Sequence, residues 1–237
     1  MLDHRPFDSL GQFEIDWLQA RYHFSFGSYS DPARMGWGPL RVWNDDTFQP
    51  GSGFNLHPHR NMEIITYVRR GALSHIDHLD NEGRTEAGDV QVMSAGRGIV
   101  HGEFNHEADI TQVFQIWIYP AEQGGPPSWD QRHFPRAARA DTLVPLASGR
   151  AGHADALPIR QDAALLGATL RAGATLRHPL QPGRLAYLVP AAGRMTVNGL
   201  ALEARDGLAL AEVESLEITA VDDGEVLLLD LPPTAGA

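Results

Sequence analysis

The chain has 237 residues, which is enough for one large β domain or two small ones with a sizeable core. Its formal charge of −11, without any basic run, argues against direct binding to nucleic acid or to an anionic membrane. The absence of cysteine excludes disulfides, iron–sulfur clusters and a cysteine nucleophile. All nineteen basic residues are arginine, which excludes a lysine Schiff base, pyridoxal phosphate attachment and a phosphate-binding Walker lysine.

The beginning of the chain gives no sign of export. Residues Met1–Phe7 contain no apolar signal core, and no stretch approaches the length of an apolar transmembrane segment. We therefore expect a cytoplasmic protein without a membrane partner. The composition leaves binding to another protein open.

Short apolar runs separated by glycine and proline dominate the chain, whereas helix-like periodicity is scarce, so we predict an all-β protein. Residues 15–20 suggest one helical turn in an N-terminal lead-in. The predicted strands are, in chain order, Tyr22–Phe26, Leu40–Asp46, Ile64–Val68, Gly71–Asp77, Val90–Met93 and Val113–Tyr119. The sequence Asp80–Gly83 is typical of a hairpin turn. Strands of this length and spacing favour a sandwich or a closed jelly roll.

The second half of the chain weakly repeats the first, at an interval of about a hundred residues, which suggests two copies of one β unit. A loop-rich stretch, residues 121–150, lies between the copies, and we expect it to pack on the first domain. We therefore predict two domains, residues 1–135 and residues 136–237. In the second copy, Arg177 and Pro179 stand where the first copy has histidines. The second domain should therefore lack metal and serve in packing or binding.

Two short clusters of metal-binding side chains lie in separate strand-like stretches. The first contains His57 and His59, and the second contains His101 and Glu103. Because side chains alternate between the two faces of a strand, the members of each pair point the same way. Three imidazoles and one carboxylate suit a divalent transition metal, and Fe(II), Mn, Ni, Cu and Zn all accept such ligands. We therefore predict a metal site formed by these four side chains.

Three other histidines are expected to have different roles. His75 and His78 flank Asp77 and are candidates for an accessory site, but surface positions on a strand and its turn are favoured. His23 lies between aromatic neighbours and is expected to be a hydrogen-bonded histidine in the packed interior.

The metal-binding clusters carry a resemblance to a known superfamily. The stretch Gly51–His59, together with Glu63, resembles the first motif of the cupins, and Gly88–Asn105 resembles the second. The chain departs from the general cupin motif in two ways, and in both it resembles the pirin branch. A cupin proline is replaced near Ser94–Gly96, and His101 lies later in the sequence than in the general motif. The stretch Leu40–Asp46 also resembles pirins. The similarity is dense over residues 20–120 and thinner towards the C-terminus.

The resemblance implies a bicupin, with two jelly-roll barrels in tandem and one mononuclear metal in the N-terminal barrel. Carried over residue by residue, its ligands are His57, His59, His101 and Glu103. The ion in pirins is usually iron, so Fe(II) is expected, and Ni, Cu, Mn, Co and Zn remain alternatives.

The resemblance also implies a choice of functions. Bacterial pirins include quercetin 2,3-dioxygenases, which open the central ring of a flavonol with O2 and release carbon monoxide. Other pirins are nuclear co-regulators of transcription or bind metabolic enzymes. We therefore expect a dioxygenase that acts on a small aromatic, flavonol-like substrate and O2. The alternative is a metal- or redox-responsive regulatory protein that binds a transcription factor or a metabolic enzyme. A metal-dependent isomerase and a sugar-binding cupin form a third, less favoured class.

Under the dioxygenase hypothesis two carboxylates receive catalytic roles. Glu103 is the expected base for the flavonol 3-hydroxyl, with a proton affinity set by the metal. Glu63 has the same strand parity as His57 and His59, so we expect it to point into the barrel, beside the ligands or the substrate. The apolar side chains proposed to wall the substrate are Phe54, Met93 and Phe114.

Overall fold

The chain is described by a computed structural model that covers residues 1–233. These residues form β-strands and three short 3₁₀ helices, which span Phe7–Ser9, Pro32–Arg34 and Arg136–Arg139. None of the helices in residues 1–233 has the length and apolar character needed to span a membrane.

The first half of the chain contributes strands β1 to β12. Their bounds are β1 Leu2–Arg5, β2 Gly11–Ile15, β3 Leu18–Tyr22, β4 Leu40–Phe48, β5 Ser52–His59, β6 Glu63–Arg70, β7 Ala72–Asp77, β8 Glu82–Glu86, β9 Val90–Ser94, β10 Ile99–Asn105, β11 Thr111–Ile118 and β12 Ser128–Arg132. The second half contributes β13 to β22. Their bounds are β13 Val144–Ser148, β14 Leu157–Pro158, β15 Ala164–Leu170, β16 Thr175–Pro179, β17 Leu185–Ala192, β18 Met195–Val197, β19 Leu200–Leu202, β20 Gly207–Leu210, β21 Ser215–Ala220 and β22 Gly224–Leu231.

The strands form two domains of the same design. The first domain has a seven-stranded sheet, in the order β12-β9-β6-β11-β4-β3-β2, and a four-stranded sheet, in the order β5-β10-β7-β8. The second domain has a seven-stranded sheet, β1-β20-β17-β22-β15-β13-β14, and a four-stranded sheet, β16-β21-β18-β19. The prediction of an all-β fold with two similar units in tandem is confirmed.

The two seven-stranded sheets pack against each other and share one hydrophobic core. Its large side chains come from both domains and include Trp43, Tyr67, Phe114, Tyr187 and Leu227. Because each of these sheets also covers the interior of its own domain, its central strands are buried on both faces. This double burial explains the unbroken apolar run Val226–Leu229 and the run Ile64–Val68, in which Thr66 is the one polar residue and is also buried.

Several contacts join the domains besides the shared core. Strand β1 pairs with β20, so the first strand of the chain belongs to the sheet of the second domain. His23 is fully buried between the domains and hydrogen-bonds the Tyr187 hydroxyl at 2.8 Å, which confirms its predicted packing role. Arg139 donates to the Tyr67 hydroxyl at 3.1 Å and pairs with Glu225 at 2.9 Å. The proposed boundary between residues 135 and 136 lies between β12 and β13 and remains a prediction.

The expected helical turn at residues 15–20 was wrong. The structure has a β-hairpin there, because β2 pairs with β3 and β3 pairs with β4. Leu18, Ala20 and Tyr22 alternate with more exposed residues along β3 and are buried in the interior of the first domain. The period of two along the strand therefore overrides the short local pattern that suggested a helix.

Candidate metal centre

Three of the predicted ligands gather on the four-stranded sheet of the first domain. Strand β5 provides His57 and His59, and β10 provides His101, which lies opposite His57 in the strand register. The ring centroids are 4.8 Å apart for His57 and His59, 4.5 Å for His57 and His101, and 5.0 Å for His59 and His101. One nitrogen of each ring lies within 4.8 Å of the other two. As predicted, His57 and His59 therefore project from the same side of β5, and their rings lie next to the ring of His101.

A β-bulge in β5 directs these side chains. Between the pairs His101–His57 and Glu103–Phe54 the register shifts by one residue, so β5 has one residue more than β10. The bulge brings the side chain of Phe54 to the same side of β5 as that of His57. Gly53 lies against the backbone of β10, where a Cβ atom would overlap the carbonyl oxygen of Glu103. Glycine at this position is therefore required for the close pairing of the two ligand-bearing strands.

The protonation of the imidazoles suits metal binding. The Nδ1 atom of His57 is 2.7 Å from the carbonyl oxygen of Asn55, which leaves its Nε2 free as a donor to a metal. Burial, with the neighbouring imidazoles, lowers the pKa of His59 to about 4 and that of His101 to about 2. Within residues 1–233 the buried Nε2 atom of His101 has no hydrogen-bond partner. Neutral imidazoles around an unpaired nitrogen fit a divalent transition metal.

Glu103 lies beside this cluster and is buried among polar side chains. Its carboxylate, with His75 and His101, forms a second set of potential ligands whose donor atoms lie within 4.8 Å of one another. Gln91 donates to one carboxylate oxygen at 2.9 Å, and Gln115 donates to the other. Burial raises the pKa of Glu103 to about 7, although these hydrogen bonds partly oppose the shift. Glu103 is therefore a group that exchanges its proton near neutral pH.

The expected surface position of His75 was wrong. His75 is fully buried; its Nε2 is 3.1 Å from Asp77 and its Nδ1 is 3.4 Å from Nδ1 of His101. Trp129, from the connecting stretch 121–150, stacks on its ring at a centroid distance of 4.8 Å. The signal that was missed is the pair His75 and Asp77 at positions i and i+2, which lie on one face of β7. His78, after the end of that strand, is exposed as expected.

The expected orientation of Glu63 into the barrel was also wrong. Strand β5 ends at His59 and a new strand begins at Glu63 after Asn61, which has a left-handed φ of 51°. The alternation of side chains along β5 does not continue through such a turn, so it does not predict the direction of Glu63. Glu63 accepts hydrogen bonds from the Ser94 hydroxyl at 2.6 Å and from the backbone N–H of Arg160 at 3.1 Å. It thus faces the second domain, away from the histidine cluster.

A cavity of about 170 Å³ opens beside His57, His59 and Glu103. Of the three proposed wall residues only Phe54 lines it. Phe114 lies on the other face of β11, in the core shared by the domains, and Met93 packs in a separate cluster with Ile64 and Ile99. The remaining cavity residues were not identified from the sequence; they are Leu18, Tyr22, Phe26, Asn44, Asp46, Gln115 and Trp117.

The corresponding part of the second domain has a different character. Arg177, on β16, is exposed and pairs with Glu217 on β21 at 2.7 Å. In the portion of the chain that the structure describes, both groups of potential metal ligands belong to the first domain.

Comparison with known proteins agrees with this architecture. The family model described as Pirin matches residues 3–118, and the model described as Quercetinase C-terminal cupin domain matches residues 146–231. A pirin-like protein of Caulobacter vibrioides is 56% identical over 230 residues, which cover 97% of this chain and 99% of that protein. The quercetin 2,3-dioxygenase of Escherichia coli K12 is 38% identical over 234 residues, covering 98% and 100%.

A solved structure of an Escherichia coli relative extends the agreement to three dimensions. The bacterial pirin YhhW in complex with nickel(II) superposes with a TM-score of 0.93 at 37% sequence identity, covering 98% of this chain and all of that one. Both the sequence relatives and this structure span nearly the whole chain. The chain therefore belongs to the pirin family and has its two-domain cupin fold.

Proposed function

We propose that the protein is a metal-dependent dioxygenase that opens the central ring of a flavonol with O2 and releases carbon monoxide. One observation carries the proposal: a cluster of three imidazoles and a buried carboxyl group lies beside a cavity with aromatic walls, which His57, His59 and Glu103 line. The name quercetin 2,3-dioxygenase of the Escherichia coli relative supports the same reaction.

The proposed metal ligands are His57, His59, His101 and Glu103, and the proposed metal is Fe(II), with other divalent transition metals as alternatives. A bound ion would supply Lewis acidity to the substrate oxygens and to O2. The sharing of His101 between the two ligand sets supports the inclusion of Glu103.

The roles of the protein groups follow from their surroundings. Glu103 is proposed to take the proton of the flavonol 3-hydroxyl, because its carboxyl group lines the cavity beside His57 and His59. Gln91 and Gln115 fix the direction of the carboxylate while it does so. Phe54 and Trp117 offer flat apolar surfaces for the rings of the substrate.

The test is to measure metal content and quercetin turnover on the same purified sample. The metal-free protein is reconstituted separately with Fe(II), Ni, Mn, Co, Cu and Zn, and incubated with quercetin in air and under argon. We expect loss of the flavonol absorbance, with release of carbon monoxide, only in air and only with a bound metal. No oxygen-dependent loss with any of the metals would refute the proposal.

The pH dependence of metal binding gives a separate prediction. Glu103 must lose its proton to become a ligand, whereas the low pKa values of His59 and His101 keep both rings neutral above about pH 4. Because the pKa of Glu103 is raised, affinity should fall as the pH drops below about 7, by about tenfold per unit for this one proton. Competition with a chelator at several pH values measures the slope. We expect a shallower slope in Glu103→Gln; an equal slope would contradict this assignment.

A regulatory role is the second candidate. Leu56, next to His57, is 61% exposed, so an apolar side chain stands at the surface beside the proposed metal ligands. A partner that docks there would sense the state of the metal. Affinity capture with the Fe(II), Fe(III) and metal-free forms tests this function, and identical partner sets in all three states would count against it.

A further inference from the structure

Strand β4 places two polar side chains in the aromatic cavity. Asn44 and Asp46 are two residues apart and therefore share a face of the strand. Both line the cavity that His57 and His59 also line, and each is only 4% exposed. These positions are unusual because the rest of the strand's buried face is apolar, as Phe48 illustrates.

The acidic neighbours Asp45 and Asp46 have opposite surroundings. Asp45 points to the other face of β4, where it is paired with Arg69 and Arg205. In contrast, the carboxyl group of Asp46 lines the cavity and forms no ion pair within residues 1–233, and the buried Oδ1 of Asn44 has no hydrogen-bond partner there. The two carboxyl groups are therefore not interchangeable: Asp45 is paired with arginines, and Asp46 faces the cavity.

A buried hydrogen-bond acceptor without a partner costs about 1–3 kcal/mol, so the Asn44 oxygen calls for a donor from outside the protein, and the Asp46 carboxyl group beside it faces the same cavity. The donor must fit between the aromatic rings of Tyr22, Phe26 and Trp117, which favours a planar, weakly polar molecule. Neither Asp46 nor Asn44 belongs to the two sets of potential metal ligands. Their partner is therefore better sought in the substrate than in the metal.

We propose that Asp46 and Asn44 form a hydroxyl-binding anchor, separate from the metal ligands, that selects polyhydroxylated aromatic substrates over those without ring hydroxyls. The proposal rests on the proposed function and specifies its substrate class. A carboxyl group accepts a hydrogen bond from a phenol whether or not it is itself protonated, so the anchor requires no particular charge on Asp46. Asn44 provides a second acceptor for a neighbouring hydroxyl.

The test compares two flavonols by isothermal titration calorimetry on the metal-free protein. Quercetin and 3-hydroxyflavone share the oxygens of the central ring, but 3-hydroxyflavone lacks the other hydroxyl groups. We expect the wild type to bind quercetin more tightly, and Asp46→Leu to lower the affinity for quercetin about tenfold while leaving that for 3-hydroxyflavone unchanged. Asp46→Asn keeps an acceptor and should retain most of the preference. The melting temperature of Asp46→Leu should stay level or rise, because a buried carboxyl group without an ion-pair partner has been removed.

Each outcome decides between the anchor and the reaction. An equal loss of affinity for both flavonols in Asp46→Leu, or no loss for either, would overturn the anchor even if quercetin is turned over. A preference that depends on Asp46, without turnover by the metal-loaded wild type, would support the anchor and refute the proposed reaction. If neither flavonol binds to the metal-free wild type, the anchor fails, whereas quercetin turnover by the metal-loaded protein decides the proposed reaction separately.

Discussion

Replacing His101 with alanine is expected to abolish metal binding and flavonol turnover together, while the protein remains folded. His101 belongs to both sets of potential ligands, so its removal leaves neither set complete. The hydrophobic cores do not include this side chain. The free energy of unfolding of the metal-free protein should therefore change by no more than about 3 kcal/mol. Metal analysis after reconstitution, quercetin turnover and urea unfolding check the three parts of the prediction.

Arg177→Ala is the matched control for this variant. Arg177 occupies the related strand of the second domain, where its side chain is exposed and paired only with Glu217. Loss of a surface ion pair costs about 0–1 kcal/mol, so metal content, turnover and stability should all stay near wild-type values. Full metal loading in His101→Ala would exclude this histidine as a ligand. Metal loss in Arg177→Ala would show that the second domain takes part in metal binding.

The metal-binding cluster is the part of the site that the sequence predicted best, for a physical reason. The pairs His57–His59 and His101–Glu103 each lie within one strand, where side-chain direction follows directly from position. The meeting of the two pairs depends on the antiparallel pairing of β5 and β10, which the spacing along the chain does not reveal. The family resemblance supplied that connection.

The wrong predictions concern side chains whose direction depends on structure outside a single strand. Glu63 follows a turn at Asn61, so counting positions from His59 gave the wrong face. Phe114 was expected to wall the substrate cavity, but its sheet is buried on both sides and its side chain faces the second domain. For such a sheet, apolar character shows burial without showing which side a residue faces.

The polar lining of the cavity was missed for a related reason. Asp45 and Asp46 have the same chemistry and are adjacent, at the end of the predicted strand Leu40–Asp46. The strand in fact continues to Phe48, and the alternation of its side chains sends the two carboxyl groups to opposite faces. One group is bound by arginines and the other lines the cavity, a difference that only the packing of β4 in the sheet creates.

Glu103→Gln is expected to separate metal binding from catalysis. The amide has nearly the shape of the carboxylate and can still accept the hydrogen bond of either Gln91 or Gln115, while the three histidines remain to hold the ion. It cannot accept the proton of the substrate hydroxyl, and general bases contribute about 10²- to 10⁴-fold to rates. We therefore expect a bound metal, unchanged folding, and a kcat for quercetin reduced by about that factor.

The measurement is kcat at saturating quercetin, normalised to the metal content of each sample. Glu82→Gln serves as the control, because it makes the same chemical change in an exposed residue on β8. A kcat near the wild-type value in Glu103→Gln would exclude Glu103 as the base. Normalisation to bound metal matters because a lower kcat at full loading reflects the lost proton acceptor, whereas a loss that follows metal content reflects a lost ligand. The two roles proposed for this one carboxyl group therefore give different results in the same experiment.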